Sequence, residues 1–363
     1  MVYETIIEEQ LAAMDIDELE GLAQDAAQQS SVFDSITVEQ IVNDLLNGRP
    51  LFDSDSILDD LFQLFIMEVK SSVILGCEIL TVCIVIGLLT NFTGSFGKST
   101  VSSLGTIICS FVVIALCIGS FYQTYSYCQD ALNTMTSTML ILLPVMIPLL
   151  VSMGGISSGS ILDPVIIAAV TGFDFIMQHI VLPLVFISAV FVMINSITEK
   201  DYIKKLSVIL RKASIFIVGL CITIFTGITA IQGIITKSAD GILINSARFS
   251  IDNFVPIIGG FAADSLEMVI SCIGLIKNAV GIVGIVAVAA VITVPVMKVL
   301  AIAVIYKLTA AVAEPVASKN ISDSLNEIGS SAITMTVVLA AAAMMFLIFI
   351  TVLMGIGGGS LWK

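Results

Sequence analysis

Long apolar stretches separated by short polar ones dominate the chain, at 72–93, 101–122, 132–153, 161–195, 213–235, 265–297, 299–313 and 332–357. Most reach the roughly 20 residues a helix needs to cross about 30 Å of hydrocarbon. They are too long and continuous for the alternating, roughly ten-residue strands of a membrane barrel. Within lipid the backbone must satisfy itself internally, so the pattern predicts an all-α, polytopic helical membrane protein.

The first 70 residues follow a different rhythm. In "TVEQIVNDLLNG", 37–48, Thr37 and Gln40 have capping-box spacing, and Val38, Ile41, Val42, Leu45 and Leu46 form one apolar face. Asn47–Gly48 then mark a stop before Pro50. A second stretch, "SILDDLFQLFIMEVK", alternates an apolar stripe with Asp59, Asp60 and Glu68 and runs straight into the first apolar run. The division expected is a small helical extramembrane domain over 1–70 and a transmembrane domain over 71–363.

Composition sharpens this picture. The 363 residues are 57% hydrophobic and 12% charged, with a net charge of −14 and a mean hydropathy of +1.07. Residues 1–70 hold sixteen acids against Arg49 and Lys70, so the whole imbalance sits there. So acidic a segment repels phosphate and excludes nucleic acid as its partner. The start, "MVYETIIEEQ", lacks a basic region followed by an apolar core, so no cleavable signal is read.

Orientation follows the bases. "TEKDYIKKLSVILRK", 198–212, carries five and reads as a cytoplasmic loop, which puts the acidic segment outside. If 72–93, 101–122 and 132–153 each cross once, 161–195 must return to the side it came from. A re-entrant hairpin or two short crossings would serve, turning near Asp174, Gln178, His179 and Pro183. The count becomes seven to nine crossings, with the C-terminus inside.

Prolines and glycines interrupt several runs: Pro144, Pro148 and Gly154–Gly155; Pro164 and Pro183; Pro256 and Gly259–Gly260; Pro295; Pro315. Such breaks survive in lipid only where protein or water satisfies the freed backbone groups. They predict discontinuous or re-entrant helices. "PVMIPLLVSMGG", 144–155, and "DNFVPIIGG", 252–260, echo each other weakly, as a repeat would.

Ionisable residues inside the apolar runs are the candidate site. Asp264 and Glu267 have the spacing of a helix start, where carboxylates meet free N–H groups. Lys277 has two readings. If the helix begun at Asp264 continues, the lysine lies about 20 Å along it and needs a partner such as Asp174 or Glu78. If instead 254–276 is a short re-entrant or interfacial element, the span is 278–297, and Lys277 and Lys298 snorkel to opposite interfaces. The second reading is the blander and the favoured one. Gly274, Asn278, Gly281 and Ile285 share a stripe, with Lys277 and Gly284 alongside, suited to close helix contact more than to a pore. Asp174 and His179 form an intramembrane polar pair, read as a turn before a proton relay.

The seven cysteines lie mostly in apolar runs, without CxxC pairs, and read as small buried hydrophobes rather than disulfides or metal ligands. "GISSG", 155–159, is weak as a helix-packing motif. With no P-loop, zinc signature, GxSxG or dyad, no enzyme, cofactor or metal is expected.

One region is specific enough to suggest a family. "GITAIQGIITKSADGILINSARFSIDNFVPIIGGFAADSLEMVISCIGLIKNAVGIVG", 227–284, with Gln232, Asp240, Arg248–Phe249, Asp264 and "LIKNAVG", resembles the signature region of the stage III sporulation protein AE family. "NDLLNGRP" before the spans and "AEPVASKNISDSLNEIG" before the last one agree with that layout. The resemblance implies a membrane component of the channel assembly joining mother cell and forespore, in the mother-cell membrane around the forespore. It implies as partners the other stage III A proteins, including an ATPase and ring-forming proteins, and the forespore stage II protein Q, besides lipid and further copies of itself. It implies no catalytic residues. Members usually begin with a signal sequence. Structural roles are expected for Lys277, Asn278, Gly281, Asp264, Pro256, Gly259 and Gly260 in shaping a broken-helix region. A self-sufficient secondary transporter is the competing reading.

Overall fold

The computed structural model describes residues 54–96, 100–152, 167–196, 203–254, 259–317 and 319–355. These form six long helices: α1 (Ser54–Phe96), α2 (Thr100–Ser152), α3 (Ile167–Asn195), α4 (Lys204–Phe254), α5 (Gly259–Ala313) and α6 (Lys319–Gly355). Each contains a stretch long and apolar enough to cross a membrane. The helical membrane class expected from the apolar runs is what the chain adopts. Most of the N-terminal domain, residues 1–53, lies outside the described residues, and 54–70 are continuous in α1 with the first span.

Contacts between named residues fix how the helices run. Gly76 sits beside Ile305 and Thr309, and Gly87 against Val316, so α1 and α5 are parallel. On α6, Ile350 approaches Gly284 while Gly329 lies against Ala303 and Tyr306, which makes α5 and α6 antiparallel. Against α2, Tyr306 donates to the Cys117 carbonyl at 3.4 Å and Gly284 meets Leu142, again antiparallel. Phe121–Phe186 and Asn133–Gln178 set α2 against α3 in opposite directions, as Phe173–Phe225 and Ser188–Ser207 do for α3 and α4. Lys204–Asp323 and Arg211–Glu327 run α4 parallel to α6. The six helices therefore alternate strictly, up and down. The start of α1 and the end of α6 share one end of the bundle; the α3–α4 connection and the α5–α6 turn share the other.

This arrangement corrects the crossing scheme. Runs 101–122 and 132–153 are not two spans: the polar stretch between them is helical, and both lie on α2. Nor does the described part of that run, 167–195, turn back, because α3 is one continuous helix with a single π turn at Met177–Val181. Proline explains the turn. Pro183 cannot donate a backbone hydrogen bond, and one extra residue in the preceding turn shifts the pairing there, so that the Leu182 N–H reaches the Met177 carbonyl. With α2 and α3 each crossing once, the basic 198–212 segment sits at the end opposite Asp59 and Asp60 without any hairpin. The C-terminal end of α6 falls with the start of α1, not with the basic loop as expected.

Prolines do not break the other described helices. Pro144 and Pro148 lie inside α2 and Pro295 inside α5, while Pro315 falls in the turn after α5. Pro164 and Pro256 lie outside the described residues, as do the GISSG segment and Gly154–Gly155. The interior is filled by Met135, Met139, Leu142, Val185, Met335 and Phe349, all at most 1% exposed. In lipid such packing rests on van der Waals contact and close approach rather than on exclusion of water, which is why small residues recur at the crossings.

Candidate functional site

Polar side chains collect where α3 changes its pitch. The Gln178 amide, buried on the π turn, donates from Nε2 to Asp174 Oδ1 and to Asn133 Oδ1 of α2, both at 2.8 Å. Thr136, one turn along α2 from Asn133, presents a buried hydroxyl beside the Asp174 carboxyl. His179 turns outward: its ring stacks on Phe175 with centroids 4.6 Å apart, and Nδ1 lies 3.3 Å from the Phe175 carbonyl. The sequence paired Asp174 with His179, whereas the carboxylate takes its hydrogen bond from Gln178. Asn133 escaped notice because only the α2–α3 register brings it there. π turns recur at functional positions, since they re-aim side chains at the cost of helix hydrogen bonds.

Lys277 occupies a second location. It is 1% exposed, on the side of α5 that also carries Gly281 and Gly284, against Met354 of α6 and Leu142 of α2. The interfacial reading of 254–276 does not hold, because α5 runs unbroken from Gly259 to Ala313 and the lysine is covered rather than reaching an interface. Pairing with Asp174 does not hold either. By the register that sets Leu142 against Gly284, Lys277 is level with Pro148, about 18 Å beyond the level of Thr136 and Asp174. Glu78 is farther still, near the level of Ile305. Asn278 is half-buried beside the lysine. Gly259, Gly260 and Asp264 lie in the first turns of α5, with the Asp264 side chain outside the described part, and Pro256 is outside the described residues altogether.

Charge concentrates at the end that carries the basic segment. Arg211 pairs with Glu327 at 2.6 Å and Lys204 with Asp323 at 3.5 Å, around a small cleft bordered by Asn195, Asn320 and Ser324. Lys307 reaches Asn326 and Ser330, both at 3.3 Å. Nearer the middle of the bundle, Lys298 lies over the Tyr127 ring, 4.1 Å from its centroid.

Residues 36–357 match the family model described as Stage III sporulation protein AE. The chain belongs to the stage III sporulation protein AE family. A relative in Bacillus subtilis (strain 168), named stage III sporulation protein AE, is 33% identical over 317 residues, 86% of this chain and 79% of the relative. No solved structure matches. The family match spans all six helices, the Asp174–Gln178–Asn133 cluster and Lys277. This member is thus a sporulation protein whose described part is an integral-membrane helix bundle.

Proposed function

We propose that the chain is a membrane subunit of the multiprotein channel assembly between mother cell and forespore, seated in the mother-cell membrane around the forespore. The basic segment faces the mother-cell cytoplasm and the acidic N-terminal segment the space between the two membranes. The observation that carries this reading is the opposition of the two ends across a strictly alternating bundle, with Lys204 and Arg211 at one and Asp59 at the other. An acidic head in the intermembrane space is placed to meet partners there, and the packed interior leaves conduction to an assembly rather than to this bundle. Family membership favours other sporulation proteins as those partners: the remaining stage III A proteins, the ATPase and ring-forming proteins among them, stage II protein Q, and further copies of this chain. No chemistry is assigned to it.

The second reading, a self-sufficient secondary transporter, is favoured by one observation, the carboxyl–amide cluster at the π turn of α3. One experiment separates the two. The tagged full chain is purified from sporulating cells and, separately, reconstituted alone into liposomes. Co-purifying sporulation membrane proteins and solute-tight liposomes support the subunit; solute uptake by the chain alone would establish the transporter.

A further inference from the structure

The outer face of α2 is wrong for lipid. Between residues 120 and 139 its exposed side chains are Tyr122, Gln123, Tyr127, Asp130, Asn133 and Ser137, every one bearing a hydroxyl, amide or carboxyl group. They span 16 residues of helix, about 24 Å. Toward the basic end the same helix exposes Ile108, Phe111 and Val112, and toward the other end Leu140.

This face lies at membrane depth. Phe121 stacks on Phe186 and Asn133 pairs with Gln178, so Tyr127 and Asp130 stand level with Val181, the middle of α3. By the registers of α3 on α4 and of α5 on α6, α4 exposes Phe216 and Ile224 and α6 exposes Val337 and Met344 at that depth. α1 and α3 expose isolated polar side chains there, Gln63, Lys70 and His179, among Met67, Val73, Phe175 and Ile180. The α4 and α6 surfaces are surfaces for hydrocarbon. An exposed carboxylate and a row of amides and hydroxyls at the same depth are not, because hydrocarbon returns none of their hydrogen bonds.

We infer that this face of α2 borders a water-filled path lying between chains of the assembly, not through this bundle. The opposite side of α2 is dry, with Leu132, Met135, Met139 and Leu142 at most 1% exposed, so water can reach the polar face only from outside the six helices. A dry protein contact would have to mate every polar group that Gln178 and Lys298 leave open, whereas water satisfies all of them at once. The assignment rests on the conduit reading above, and its test keeps the two apart.

In a chain with its native cysteines replaced, Gln123→Cys, Asp130→Cys and Ser137→Cys are exposed to a charged, water-soluble methanethiosulfonate in membranes of sporulating cells. Phe216→Cys, outward-facing on α4 at the same depth, is the control. The three should react at least tenfold faster than the control. Rates equal to the control, with labelling by a lipid-soluble maleimide, would put the face in lipid and overturn the inference; protection from both reagents would make it a dry contact and overturn it too. In the unaltered cysteine background, Asp130→Leu and Asn133→Leu should accumulate normally yet lower spore yield tenfold or more, and normal yield would count against the path. Partner co-purification is read from the same membranes: partners retained around an unreactive face refute the path alone, and their absence refutes the conduit.

Discussion

Arg211 on α4 places Nη1 2.6 Å from Glu327 Oε2 on α6 and 3.3 Å from the Glu327 main-chain carbonyl, so one guanidinium clamps two parallel helices. Both side chains are mostly covered, at 17% and 25% exposure, where the neighbouring Lys204–Asp323 pair is 39% and 46% exposed. Charged hydrogen bonds sheltered from solvent keep more of their strength than exposed pairs. Arg211→Ala should therefore cost about 1–2 kcal/mol in thermal unfolding of the detergent-purified chain, and Lys204→Ala less than about 0.5 kcal/mol. Equal losses would mean the clamp adds nothing beyond surface charge.

Three glycines separate tight crossings from open ones. A Cβ at Gly87 would run into the Val316 carbonyl oxygen, which is backbone and has no other rotamer, while at Gly281 it would meet the flexible Met354 side chain. At Gly119 it would meet nothing within 4 Å. Gly87→Ala should cost about 1–3 kcal/mol through overpacking, Gly281→Ala less, and Gly119→Ala should cost nothing and gain up to about 1 kcal/mol from helix propensity. Thermal unfolding of the three variants checks the order, and a Gly119 loss as large as that at Gly87 would contradict it.

The helical membrane class was legible because hydrocarbon demands long apolar runs, and the chain supplies them. Where those runs join was not legible. Residues 123–131 look like a polar connection when read in order, yet they are helical, with Cys128 and Ala131 in the core. Pro183 suggested a turn because a proline removes one hydrogen bond; a π turn absorbs that loss without reversing the chain. Charge placement did carry real information. It set the basic and acidic segments on opposite sides, and among the described residues Asp59 and Asp60 lie at the end of the bundle away from Lys204 and Arg211. Lys277 shows the limit of local patterns, since its burial is a matter of tertiary packing that spacing along the chain does not show.

Gln178 is the donor that holds the α2–α3 polar cluster together. Gln178→Leu removes both of its hydrogen bonds and leaves the Asp174 carboxyl facing an apolar side chain. A loss of about 1–2 kcal/mol is expected. Asn133→Ala, which removes one acceptor from an exposed position, should cost under half as much. A thermal-stability ranking with Asn133→Ala as the worse variant would show that the cluster is organised from α2 rather than from the π turn.

Lys277 tests whether a covered cation is there for packing or for its charge. Lys277→Met keeps the length of the stem, so if burial alone matters the variant should unfold within about 1 kcal/mol of the parent. Lys277→Ala leaves a void and should cost about 2–3 kcal/mol. We expect Lys277→Met to accumulate normally while partner proteins co-purify with it less well. Full retention of partners by Lys277→Met, with loss in Lys277→Ala, would assign the residue to packing alone.

The alternation of the six helices makes a claim about sides that can be tested without any knowledge of the cargo. Lys205, just inside α4, and Glu314, in the turn after α5, are exposed at the same end of the bundle, and Asp59, near the start of α1, is exposed at the other. In the cysteine-replaced chain, a membrane-impermeant thiol reagent should label Lys205→Cys and Glu314→Cys only when it is given access to the mother-cell cytoplasm. Asp59→Cys should label only from the opposite side, as should a cysteine fused after Lys363. Labelling of Lys205→Cys and Glu314→Cys from different sides would refute the antiparallel pairing of α5 with α6 and the parallel pairing of α4 with α6 together. Labelling of all four from the sides opposite to those stated would preserve the bundle and invert its orientation, leaving the acidic segment in the cytoplasm with no access to partners between the membranes.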